Sequence, residues 1–241
     1  MSRQSDTGTD LAQRSLYPVL ALTMAAIAVA GFAPGYLGSD HSGPVGRSAA
    51  VHVHALVFTG WLLLFATQAS LPMAGRRDLH MRLGKLAAWY GGLIVLTGLL
   101  VTFDRLHAWK TAGILEQQAV FFLLPLTDLV YFIGFFSAAL YYRRKPLLHK
   151  RLMVLTGTLL VFPGAVRIDA IMTPPNLPLL YLVWLSPILL AIVHDAVFQR
   201  RFFKVYAVGM VILATMPMRM MAFQTEAAQA FTLALAEMLP G

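Results

Sequence analysis

The chain contains no cysteine, which excludes disulfides, thiolate metal sites and cysteine-ligated iron–sulfur clusters. Charge is scarce as well: Asp, Glu, Lys and Arg together make up 12% of 241 residues. No phosphate-binding loop, His-Glu-x-x-His zinc signature or nucleophile motif occurs, so hydrolase chemistry lacks its usual carriers. Alternating ten-residue segments are also missing, which argues against a membrane β-barrel. What fills the chain is apolar: 58% of residues are hydrophobic and the mean hydropathy is +0.68. One soluble core of this size cannot bury so much apolar surface, whereas a bilayer supplies the missing apolar solvent.

Seven long apolar stretches are legible, at 17–34, 48–72, 84–103, 117–141, 151–171, 179–199 and 205–223. Each approaches the ~20 residues a helix needs to cross ~30 Å of hydrocarbon. Only helices and closed barrels satisfy every backbone group in lipid. The expected fold is therefore all-α, a polytopic transmembrane bundle of seven helices. It divides into a cytoplasmic N-tail (1–16), the bundle (17–223) and an outer C-terminal tail (224–241), which reads as a short surface helix. Ala28-Val29-Ala30 resembles a signal-peptidase site, so the alternative is a cleaved leader and six helices.

Basic residues fall into every second gap. Arg3, Arg14, Arg76, Arg77, Arg82, Lys85, Arg143, Arg144, Lys145, Lys150, Arg151, Arg200, Arg201 and Lys204 share one side, 14 of the 19 in the chain. This positive-inside pattern predicts a cytoplasmic N-terminus and an outer C-terminus. The net charge of +8 then faces the anionic headgroups of the lipid bilayer, the expected partner, and nucleic acid is not one.

Two of the basic turns share a motif. Leu79-His80-Met81-Arg82-Leu83 recurs 69 residues later as Leu148-His149-Lys150-Arg151-Leu152, each copy after an Arg-Arg pair. The second–third and fourth–fifth helices thus read as two hairpins in parallel repeat. In one reading His and Arg at these helix starts bind lipid phosphate. In a sharper one His80 and His149 meet and hold one ligand, since imidazole binds metals and donates to quinone carbonyls. Arg82 belongs to the same turn, and His194, beside Asp195, lies at a similar depth.

Ionisable groups within spans need a partner or a purpose. Asp128 lies eleven residues in from Gln117, ~16 Å deep at 1.5 Å per residue. A carboxyl there must carry a proton or meet a cation. His54, Trp61 and Gln68 are spaced by seven and share a helix face, whereas His52 points away from His54. Arg167 and Arg219 sit near the outer ends of their helices and can snorkel to water. An outer pocket lined by His54, Asp128, Arg167 and Arg219 would recognise a small polar or anionic head.

His52-Val53-His54-Ala55, Trp61-Leu62-Leu63-Leu64, Gln68, Gly75-Arg76-Arg77-Asp78-Leu79-His80-Met81-Arg82-Leu83-Gly84 and the run Arg143 to Leu152 resemble a family of bacterial integral membrane proteins. In that family a His-x-His helix leads into a Gly-Arg-x-Asp-Leu-His-x-Arg-Leu-Gly turn. The likeness spans about 48–153. It implies a multi-pass protein of the bacterial inner membrane, marks His54, Gln68, Asp78, His80, Arg82 and His149, and carries no reaction with it. A looser likeness is to di-haem membrane cytochromes b, but those need histidine pairs at two depths. His52 and His54 have no such histidines opposite, and His41 and His107 fall in outer loops, so at most one haem pair is available.

Three functional classes follow. The first binds a small ligand or redox cofactor, quinone or a single haem b, at a polar layer of the bundle. The second is a proton-coupled transporter using Asp128. The third is a non-catalytic subunit or scaffold of a larger membrane complex. Pro125, Pro163-Gly164 and Pro187 offer the broken helices that transport favours, although the visible repeat is parallel rather than inverted. Met210, Met216, Met218, Met220 and Met221 read as soft packing rather than a copper site.

Overall fold

The computed structural model describes residues 3–37, 46–171 and 174–239, with side chains described from residue 15 onward. His41 and the side chains of Arg3 and Arg14 lie outside that set. The described residues are mostly helical, with no strand among them: α1 (Arg3–Leu37), α2 (Ala49–Ser70), α3 (Arg77–Thr111), α4 (Leu115–Tyr141), α5 (Pro146–Leu160), α6 (Phe162–Ala170), α7 (Leu177–Phe198), α8 (Lys204–Thr215), α9 (Arg219–Phe223) and α10 (Glu226–Glu237). Seven segments are long and apolar enough to cross a membrane. The all-α bundle expected from the sequence is the fold observed, that of a multi-pass helical membrane protein.

Two of the seven segments are broken, and proline accounts for both breaks. The fifth span divides at Val161, where Pro163 enters the first turn of α6 without an N–H to continue the ladder of α5. Trp184 of α7 compensates, its indole N–H donating to Thr158 O in the last turn of α5 at 2.8 Å. The seventh span tightens into a 3-10 turn at Met216–Met218, around Pro217. α3 runs past its apolar stretch at both ends, so the expected span 84–103 is the middle of a longer helix.

α5 is the hub. It packs against α1, α4, α6, α7 and α8, and 56% of the most apolar stretch of its span is buried, against 11% for α2. Leu155 and Leu159 of α5 share one core with Leu20 and Met24 of α1, Trp184 and Ile188 of α7, and Tyr206 of α8. α3, by contrast, packs on α2, α4 and α10 alone, which leaves Leu86, Trp89 and Leu96 on an outward face. Trp61 of α2 closes the space between α2, α3 and α4. Its ring meets Tyr90 of α3 and Phe132 and Phe136 of α4, with centroids 5.4 to 6.3 Å away. α10 folds back over the far ends of α3 and α4, burying Ala236 against Leu106 and Phe122. Lys110 Nζ secures it with a bond to Leu239 O at 2.7 Å.

Candidate functional site: a histidine pair at the basic end of the bundle

The two repeated turns are built differently but deliver histidine to the same place. After α2, Gly75 takes a left-handed φ of 73° that few other residues adopt. Arg76 N–H then closes the reversal onto Leu71 O at 2.9 Å. After α4 the chain tightens through a 3-10 turn, Tyr142–Arg144, and Pro146 opens α5. Proline suits that first position, where no N–H is needed. His80 is the fourth residue of α3 and His149 the fourth of α5, so both rings project from the first turn of a helix beside its positive dipole end.

The two rings meet: their centroids are 6.5 Å apart at an interplanar angle of 72°. Each is anchored through Nδ1 to the end of the preceding helix, His80 at 3.1 Å from Gln68 O and His149 at 2.8 Å from Ala139 O. Gln68 also braces His80 with its side chain. With the amide oxygen on Gly84 N (2.9 Å), its NH2 donates to His80 O (3.2 Å). Among the described residues no hydrogen bond engages Nε2 of either histidine. Both rings are half-buried, and Arg76, Arg77, Arg143 and Arg144 lie exposed on the same two turns.

Arg82 does not join the pair; it is exposed on α3. Its counterpart Arg151 has the opposite fate. It is fully buried and bonds Asp195 Oδ2 of α7 through Nε (3.1 Å) and Nη2 (2.7 Å), and Leu147 O through Nη1 (2.6 Å). Gln199 donates to the other oxygen of Asp195 at 2.6 Å, and Phe203 stacks 3.2 Å from the guanidinium carbon. His194 belongs to this second centre, its Nδ1 3.5 Å from Asp195 Oδ1, and among the described residues no hydrogen bond or ring contact joins it to His80 or His149. The motif marked Arg82 and Arg151 equally, and the buried clamp was missed. The available signal was Asp195, an acidic residue near a helix end at the depth of Arg151.

At the other end the four residues expected to line one pocket fall into three places. Asp128 of α4 pairs with Arg219 of α9. His54 Nδ1 lies 3.2 Å from Thr97 Oγ1 on α3. Arg167 bonds Pro163 O at 2.9 Å and lies over the Phe32 ring of α1 at 4.2 Å. No contact joins these three groups among the described residues. The shared face of His54, Trp61 and Gln68 is as the spacing predicts, since all three meet α3.

Comparison of the chain with family models, with curated proteins and with solved structures gives no match in any of the three.

Proposed function

We propose that this is a bacterial inner-membrane protein, N-terminus inside, that binds one small redox ligand between the His80 and His149 hairpins. The observation that carries the reading is the meeting of the two rings at 6.5 Å. Two imidazoles bound to one metal from opposite sides at ~2.0 Å place their centroids about 6 Å apart. Histidines that ligate a metal usually hand the other ring N–H to a backbone carbonyl, and Gln68 O and Ala139 O stand ready at both Nδ1 atoms.

The number of ligands narrows the choice. No three His, Cys, Asp or Glu side chains converge among the described residues, whereas a closed zinc site takes four protein ligands. A single haem needs only two, because the porphyrin supplies the rest, and its propionates suit a rim of arginines and two helix N-termini. A quinone asks less: one Nε2–H to each carbonyl oxygen. Anionic lipid headgroups around the same turns are the expected surroundings. The motif likeness to a bacterial membrane family supports the same residues, His80 and His149.

The test is an absorption spectrum of the purified protein in detergent, oxidised and dithionite-reduced. A Soret band lost in His80→Ala and in His149→Ala establishes haem. A featureless spectrum with a quinone in the lipid extract, released by either substitution, establishes the quinone. Neither chromophore nor quinone would refute the reading.

A further inference from the structure

The ion pair at the far end of the bundle is incomplete. Arg219 gives Nη2 to Asp128 Oδ1, while its Nε and Nη1 are buried with no hydrogen-bond partner. The side chain is only 10% exposed, and the Tyr131 ring lies 5.7 Å from the guanidinium carbon. A guanidinium carries five N–H groups in one plane. Stripping water from two of its three nitrogens costs more than one monodentate carboxylate contact returns. The site therefore lacks an acceptor, and the acceptor that fits a flat fork is a planar oxyanion.

The geometry also says how such an anion enters. The fork has two edges, Nε with Nη2 and Nη1 with Nη2, and Nη2 belongs to both. Nη2 carries two N–H groups, one on each edge, so Asp128 closes at most one edge and an anion can dock with two oxygens on the other. Two carboxylates and one cation would then share a buried site, an arrangement of net charge −1 that a low dielectric penalises. One proton taken up by Asp128 restores neutrality. Arg219 is the one charged side chain set against Asp128 among the described residues. α3, α5 and α10, which also pack on α4, place none beside it, and Tyr131 is the titratable neighbour on α4.

We propose that Asp128 and Arg219 form a proton-coupled site for a small monocarboxylate, in which the anion takes the open edge of Arg219 and Asp128 takes up one proton from solution. A phosphate dianion would need a second proton and is disfavoured. Arg219 sits on a five-residue helix in the last turns of the seventh span. The inference is independent of the histidine pair at the opposite end.

Calorimetric titration of the purified full chain with sodium acetate and sodium benzoate tests it. Sodium chloride at equal ionic strength is the control, and two buffers of different ionisation heat count protons. The expected result is carboxylate binding with uptake of about one proton per anion, and an affinity that falls about tenfold per pH unit as pH rises. Asp128→Asn should bind at least as tightly with no proton uptake, and Arg219→Met should not bind. If Arg219→Met fails to fold, Asp128→Asn still decides. No binding above chloride in both wild type and Asp128→Asn overturns the proposal, and so does equal proton uptake in the two.

Discussion

At the scale of single residues, depth in the sequence separates groups that need partners from groups that do not, but does not supply the partner. Arg151 shows the consequence. With Asp195 it forms a pair that is 0% and 1% exposed, and truncating one member leaves the other charged and desolvated, a loss of ~3–5 kcal/mol. Arg151→Met should therefore lower the thermal unfolding midpoint in detergent sharply. Arg151→Met combined with Asp195→Leu should recover much of the loss, because no orphan charge remains. A single substitution no worse than the double one would show that the pair is not the clamp it looks like. Sequence spacing made His54, Trp61 and Gln68 legible as one face, since a period of seven is local. It did not make Asp195 legible as the partner of Arg151, because 44 residues and the whole of α6 separate them. Arg167 instead sets its guanidinium over the Phe32 ring and gives one N–H to Pro163 O.

At the scale of elements, identical motifs acquire different surroundings because the hairpins occupy different positions. α5 is enclosed by five helices and α3 by three, so Arg151 is buried and Arg82 exposed although both follow His-x. The seven apolar stretches and the paired turns were readable from composition and repetition. The interruptions at Val161 and Met216–Met218 were signalled only by proline, which marks a place where a helix can break and not whether it does. Close approach is another property invisible to pattern. A Cβ on Gly31 of α1 would run into the backbone of Gly164 on α6, and a Cβ on Gly134 of α4 would meet nothing. Gly31→Val should therefore force α1 away from α6 and cost on the order of 1–3 kcal/mol. Gly134→Ala should be neutral or slightly stabilising through helix propensity. Comparing the two unfolding midpoints checks this directly, and equal effects would mean that α1 and α6 are not in backbone contact.

At the scale of the whole molecule the two sites lie at opposite ends of the bundle, so the function depends on which end faces the cytoplasm. In the proposed orientation, with the basic turns around Arg77, Arg144 and Arg201 inside, the histidine pair would face the cytoplasm and the Asp128–Arg219 site the outer half. A redox ligand at the inner end would then meet cytoplasmic donors, while a carboxylate would arrive from outside, where the proton that accompanies it is more abundant. The absence of native cysteine makes this orientation directly testable, because any introduced thiol is the only one. Met73, on the turn after α2, and Gln224, between α9 and α10, are both exposed and uncharged, so replacing either leaves the charge pattern intact. In spheroplasts a membrane-impermeant maleimide should label Gln224→Cys at once and Met73→Cys only after lysis. The reverse order would place the histidine pair outside and the carboxylate site toward the inside.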